Sequence, residues 1–372
     1  MANRLKSAGA RAPGKKSVGG RVGRTLVNVA LGVVVVVFVM AISFILLQIA
    51  GKNSLYSHAD GGKLMTTLSG LAVELGGSLD DDGEEDWQEG DFRFEGIHYR
   101  YNEDIMTFLF LGIDKMTEVK PVKNGIDGGQ SDAIFLLVLN PHTKEMTVIG
   151  IPRDTMVEIE MYSSIGSYIG PVEAQLALQH GYGDGGALSC ERSRDAVSKL
   201  FYGLHIHGYC AINMGAIPLL NDAVGGIDVV ALNSQDVNGF KMEEGQALHL
   251  EGMDAYHYLH DRDINEHYTA EKRLARQKQY LEAYATAAMA KMKANLTFAV
   301  SLYGTLSKYM VTDISVDEVG YLATQVLEYS FSGDRMYVLE GETHIGEKYE
   351  EFRVDEDALY RLILDVFYEE VG

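Results

Sequence analysis

The chain is poor in the residues that cross-link or interrupt secondary structure: 372 residues contain two cysteines, six prolines and one tryptophan. Two cysteines exclude a disulfide-dense secreted scaffold, which staples its loops with many bridges. So few prolines exclude collagen-like and proline-rich disordered chains. Positive charge is also scarce, and unevenly spread. Of 32 Lys and Arg, seven lie in residues 1–24 (Arg4, Lys6, Arg11, Lys15, Lys16, Arg21, Arg24), where no acid occurs; the remaining 25 face 53 acids. A main body this acidic excludes an extended nucleic-acid groove, because a phosphate backbone demands clustered cations. An anionic ligand would need a local basic site.

One long apolar run stands out against this background. Residues 25–51 carry no charged side chain, with Val33-Val-Val-Val-Val37 near the middle. At roughly 1.5 Å rise per residue the run exceeds a hydrocarbon core of ~30 Å, which predicts a transmembrane helix over 25–51. It is longer than the apolar region of a cleaved signal peptide and lacks an Ala-x-Ala-like cleavage site, so an uncleaved anchor is expected. Seven cations precede the span and only Lys52 directly follows it. The positive-inside rule then places residues 1–24 as a cytoplasmic basic tail in a single-pass cell-membrane protein, with the rest of the chain outside. That compartment permits a Cys190–Cys210 bridge; two buried free thiols are an equal reading.

Residues 52–93 read as an acidic stalk or linker, polar as far as Gly77 and then solvated through Asp80-Asp-Asp-Gly-Glu-Glu-Asp86, Glu89 and Asp91. The folded domain is expected over 94–372. Apolar runs rich in β-formers predict strands at 106–112, 133–140 and 146–151, the last two joined by a hairpin turn at Asn140-Pro-His-Thr-Lys144. Helices are expected at 172–180, 188–201, 216–223, 253–260, 270–293, 296–308, 316–329 and 356–367, and further strands at 208–212, 227–231 and 336–340. Such alternation indicates an α/β fold, a sheet with helices on its faces. Ser315-Val-Asp-Glu318 has the spacing of a capping box.

Candidate chemistry gathers at strand ends. Asp114 follows the first strand, Gln130-Ser-Asp132 precedes the second, and Pro152-Arg-Asp-Thr155 follows the third. In a hairpin, the start of one strand and the end of its partner lie side by side, so Asp132 and the Arg153/Asp154 pair are predicted neighbours, and a mixed sheet can bring Asp114 to them. Carboxylate oxygens suit a hard cation such as Mg²⁺ working with substrate phosphate. Arg153 would supply the cation that a phosphate needs, oriented by Asp154. A second group opens the long helix. Arg273, Arg276 and Gln277 are three and four residues apart and are expected to share a face, a placement that makes sense if aimed at a di-anion or pyrophosphate. Taken singly, each has a plainer reading: a turn-capping Asp, a surface ion pair, a solvated basic face. His257-x-x-His260 with His267 lacks a Cys or Glu partner pattern, so zinc is not expected.

Leu111-Gly-Ile-Asp114, Ser131-Asp132, Ile151-Pro-Arg-Asp-Thr155, Val224-Gly-Gly-Ile-Asp228, Leu250-Glu-Gly252 and Arg273-x-x-Arg-Gln277 behind one anchor together resemble the LytR-CpsA-Psr family, from about residue 104 to 290. The resemblance implies an α/β/α sandwich with a central mixed sheet, outside the membrane. It implies an enzyme that transfers an anionic glycopolymer, teichoic-acid-like or capsular, from undecaprenyl pyrophosphate to peptidoglycan by Mg²⁺-assisted phosphoryl transfer. Asp114 and Asp132 match the metal-associated acids. Arg153, Arg262, Arg273, Arg276 and Gln277 match the pyrophosphate contacts, with Arg153, Asp154 and Arg273 in the catalytic roles. The chain departs from the pattern at Gln130 and His260, where the family usually carries Arg, and at Ala270, where it usually carries Asp. The alternative these departures raise is a polyprenyl-phosphate-binding envelope protein without efficient transfer. A transcription attenuator is a poor fit, because the cytoplasmic part is about 24 residues without a helix-turn-helix.

Overall fold

Six strands form a mixed sheet in the order Met310–Thr312, Gly208–Asn213, Met106–Ile113, Ser131–Asn140, Glu145–Gly150, Ser330–Val338 in the computed structural model. It describes residues 48, 50–55, 62–80, 86–120, 122, 128–261, 269–346 and 349–371. Ala50–Gly372 forms one compact unit; of the other, Met1–Ile49, Gln48 alone is described. The span expected over 25–51 therefore lies almost wholly outside the described residues. No helix among those described is long and apolar enough to cross a membrane.

Ser131–Asn140 runs antiparallel to both Met106–Ile113 and Glu145–Gly150, whereas Gly208–Asn213 and Ser330–Val338 add in parallel through crossovers. Burial on both faces explains the near-continuous apolar runs of the central strands. Leu109, Leu111, Ile134, Leu136 and Ile149 pack on one side with Val197 of helix Ala187–Leu200 and with Phe201, its C-cap. Phe108, Leu139 and Met146 pack on the other with Leu55, Tyr321 and Tyr329. A second core joins strand Ile227–Val230 to helices Met253–His260 and Thr269–Ala294 through Ile227, Val229, Tyr258 and Tyr280. Asn238-Gly239, both at positive φ, close the small hairpin Gln235–Val237/Phe240–Met242 beside it. The capping box at Ser315 and Glu318 is present, with both reciprocal bonds made.

Three expectations are corrected. Residues 172–180 are not one helix: Tyr168–Gln175 pairs with Met156–Tyr162 as a two-stranded ribbon, and the helix that follows spans only Ala177–Gly181. The helix formers Ala174, Gln175 and Leu176 favour a helix locally, and cross-strand pairing overrides them. Nor is 52–93 wholly a stalk. Helix Gly62–Glu74 sets Leu68 and Ala72 fully buried against Phe92, and Ser78 bridges to Arg93. Asp91, expected in solvent, is buried and bound by His98 Nε2 and Arg100 Nη2, each at 2.8 Å. Both cysteines are free and buried; burial raises their thiol pKa values, Cys210 to about 12.

The turn after Ser131–Asn140 is tied to the final strand, Tyr368–Val371, by one imidazole. His142 Nδ1 lies 2.9 Å from Glu369 Oε1 and its Nε2 2.8 Å from Asp104 Oδ2. The hydrogen bonds to Glu369 and then Asp104 raise the His142 pKa. A pKa raised by folding gives stability that is complete below the unfolded-state value and is lost as pH rises through the folded-state value. His142→Ala is therefore expected to lower Tm more at about pH 5 than at about pH 9. The site is half exposed, so the difference is on the order of a few tenths of a kcal/mol. Equal losses at both pH values would remove the imidazolium from the account.

Candidate active site

The site begins where strand Glu145–Gly150 ends beside the start of strand Ser131–Asn140. Ile151 N donates to Ile134 O at 2.9 Å, carrying the partnership one residue past the strand. Pro152 then turns the chain, and Thr155, fully buried, closes the turn with its Oγ1 donating to Pro152 O at 2.6 Å. The backbone is fixed at two further points: Ala177 N donates to Arg153 O at 3.0 Å and Phe352 N to Asp154 O at 2.9 Å.

Arg153 is thereby aimed back at the head of the second strand. Its Nη1 forms an ion pair with Asp132, its Nη2 donates to Gln130 Oε1 at 2.8 Å, and its Nε lies 3.5 Å from Asp154 Oδ1. Gln175 Nε2 donates to the same Asp154 oxygen at 2.9 Å. Gln130 also links this group to Asp114, through Gln130 N to Asp114 Oδ1 at 2.8 Å and Asp114 N to Gln130 O at 3.0 Å. The link needs glycine at 129, whose φ is +87° and whose added Cβ would sit 2.7 Å from Ile113 Cγ2 and 3.0 Å from Asp114 Oδ1. His180 Nδ1 donates to Gly129 O at 3.0 Å, and burial lowers the pKa of this ring. The structure thus brings Asp114, Asp132, Arg153 and Asp154 into one network. Gln130 enters it as an acceptor for Arg153, which an arginine at that position could not be.

A cavity of about 300 Å³ opens on this network. Asp132, Arg153, Asp154, Arg273, Gln277 and Glu350 supply its polar lining, and Ile134, Phe135, Ile151, Val338, Leu339 and Phe352 its apolar lining. Arg153 and Arg273 lie 120 positions apart in the chain and share one hollow. Arg273 and Gln277, one turn apart on helix Thr269–Ala294, both line it, and Gln277 Nε2 also donates to Leu259 O at 3.2 Å.

Arg276 does not join them, contrary to the expected shared face. It is buried to 1% exposure and turned onto the C-terminal end of helix Met253–His260, with Nε donating to Tyr258 O at 2.7 Å, Nη1 to Asn233 Oδ1 at 3.0 Å and Nη2 to Asp261 O. Positions 273 and 276 are offset by about 60° around a helix in one sense and 273 and 277 by about 40° in the other, enough to part them at a packed boundary. Arg262 and His267 lie outside the described residues. His257 and His260 both place Nδ1 on the buried carboxylate of Asp261, at 2.8 and 3.0 Å. Tyr256 stacks on His260 with ring centres 4.8 Å apart, and its pKa is raised by burial, then by Asp261 and Asp132.

Among the cavity residues that escaped the sequence reading, Gly341, Thr343, Glu350 and Phe352 all lie on the hairpin Gly341–Ile345/Glu350–Val354. Alternation along 341–345 around a Gly346 turn is a readable hairpin signal. That this hairpin returns to the Pro152–Thr155 turn is not local information.

Residues 78–360 match the LytR_cpsA_psr family model. A relative from Oceanobacillus iheyensis, named polyisoprenyl-teichoic acid–peptidoglycan teichoic acid transferase TagU, is 28% identical over 256 residues, covering 68% of this chain and 72% of its own. The solved structure of protein gbs0355 from Streptococcus agalactiae shares the fold with a TM-score of 0.55 at 21% identity, over 72% of this chain and 90% of that one. That of B. subtilis TagV gives a TM-score of 0.53 at 21% identity, over 70% and 96%. With the family model spanning most of its length, and the central mixed sheet shared with these structures, the chain belongs to the LytR_cpsA_psr family.

Proposed function

We propose that the protein is a phosphotransferase that moves an anionic glycopolymer, teichoic-acid-like or capsular, from an undecaprenyl-pyrophosphate carrier to peptidoglycan. On this reading residues 25–51 anchor it in the cell membrane with the catalytic domain on the outer side. One observation carries the proposal: a single cavity joins guanidinium groups from two distant segments to an aliphatic and aromatic lining, the composition an amphiphile with a diphosphate head would require. The O. iheyensis relative, named for transfer of a polyisoprenyl-linked teichoic acid to peptidoglycan, supports the same chemistry.

Arg153 and Arg273 would bind the diphosphate and stabilise charge on the departing lipid phosphate, and Gln277 would donate a further hydrogen bond. Asp154, itself held by Gln175, orients the Arg153 guanidinium. No group of three metal-binding side chains occurs among the described residues. Two carboxylates linked through Gln130 and Arg153 still fit Mg²⁺, which keeps several waters and takes substrate phosphate oxygens as ligands. Asp114 and Asp132 would hold it, and the ion would supply charge neutralisation at the phosphates.

The test is release of lipid phosphate by the full chain in detergent from a lipid-pyrophosphate glycan, with peptidoglycan acceptor and Mg²⁺. Release supports transfer. Tight lipid binding with no release would make the protein a polyprenyl-phosphate binder, the reading favoured by Gln130 standing where the family usually has arginine. Asp132→Asn is expected to raise the Mg²⁺ concentration for half-maximal release by ~10-fold. An unchanged Mg²⁺ titration would remove Asp132 from the metal site.

A further inference from the structure

Transfer onto a hydroxyl requires a group to take its proton, and the residues matched to the family motifs leave that group unnamed. Three carboxylates line the cavity: Asp132, Asp154 and Glu350. Asp132 is ion-paired with Arg153, and Asp154 lies beside the same guanidinium and accepts from Gln175. Both carboxylates are thus engaged by the guanidinium rather than open to a substrate hydroxyl. The Glu350 carboxylate has no ion pair or hydrogen bond among the described residues.

Its position is nevertheless set. In the hairpin register Thr343 opposes Phe352 and Ile345 opposes Glu350, so alternate residues share a face, and Gly341, Thr343, Glu350 and Phe352 line the cavity with it. The other face carries Arg353, bound to Glu173 at 2.7 Å. Gln175 Nε2 donates to Glu350 O at 2.8 Å as well as to Asp154 Oδ1, so one amide ties the backbone of Glu350 to the Arg153–Asp154 pair. The carboxylate is thus unengaged while its main chain is indexed to the phosphate-binding arginine.

We propose that Glu350 is the catalytic base of the transfer, an assignment that rests on the function proposed above. The Glu350 carboxylate takes the proton of a peptidoglycan sugar hydroxyl as that oxygen bonds to the glycan-side phosphorus. The bond from this phosphorus to the bridging oxygen breaks, its electron pair leaves with the lipid phosphate, and Glu350 later releases the proton to solvent.

The experiment compares wild type, Glu350→Gln and Glu350→Asp as full chains in detergent, following lipid-phosphate release against pH and binding of the lipid-pyrophosphate glycan. Glu350→Gln is expected to lower kcat by ~10²-fold or more, to lose the acid limb of the pH profile and to bind the lipid as wild type does. Glu350→Asp should regain part of the rate and the acid limb. Wild-type turnover in Glu350→Gln with its acid limb intact would overturn the assignment, and so would loss of lipid binding together with activity. No release by wild type would instead refute the transferase reading on which it stands.

Discussion

Arg153→Ala is expected to lower lipid-phosphate release by roughly 10²–10³-fold, the cost typical of removing one preorganised donor to developing negative charge. The argument is geometric. Arg153 leaves a turn closed by Thr155 and fixed by Ala177 and Phe352, and its guanidinium meets Asp132, Gln130 and Asp154 on three sides. A planar fork held on three sides keeps its orientation as charge builds on a phosphate, so little reorganisation is paid during the reaction. Arg153→Lys is expected to recover little, because an ammonium on a flexible stem cannot serve those partners together and still meet the ligand. Stability should change much less. The Arg153 side chain is 26% exposed, and partly exposed ion pairs contribute about 1 kcal/mol or less. Turnover assays and thermal unfolding on the same preparations check both halves. Near-wild-type release from Arg153→Ala would remove the arginine from the phosphate site.

The part of this site that lies on consecutive strands was legible in the sequence, because a hairpin converts linear order into proximity. Asn140-Pro-His-Thr-Lys144 fixes the turn, the apolar runs on either side fix the register, and Asp132 then falls opposite the Pro152–Thr155 turn. The third dimension was not legible. Neither Gln175 nor Glu350 lies in a stretch whose own pattern points to the cavity, and each reaches it by pairing with a distant segment: Gln175 through the ribbon with Met156–Tyr162, Glu350 through a hairpin about 200 residues beyond Arg153. Helix Gly62–Glu74 was hidden for a related reason. The helix carries its apolar side chains in three short groups, Leu64-Met65, Leu68 and Leu71-Ala-Val73, broken by glycine, serine and threonine, and only the presence of Phe92 and its neighbours makes Leu68 and Ala72 a buried face. Local propensity also misled at 172–180, where alanine, glutamine and leucine lie in or beside an exposed strand.

The arginines of the long helix separate stability from chemistry most sharply. Arg276→Ala is expected to cost roughly 3 kcal/mol, since each buried acceptor left unsatisfied costs about 1–3 kcal/mol. Its guanidinium takes the carbonyls of Tyr258 and Asp261 and the Asn233 amide oxygen, and its plane lies over the Tyr258 ring with 5.8 Å to the centroid. The last carbonyls of an α-helix have no partner within the helix, and a cation there also meets the negative end of the helix dipole. Arg276 therefore completes helix Met253–His260, although burial and then the neighbouring Arg273 lower its pKa. Arg276→Lys is expected to recover only part of this, since three acceptors in a fork outreach one ammonium. Arg273→Ala, three residues away and lining the cavity, should do the reverse, lowering release while Tm stays close to wild type. If Arg276→Ala instead keeps its unfolding midpoint in urea but loses lipid-pyrophosphate binding, the arginine belongs with Arg273 at the phosphates and the division drawn between them is wrong.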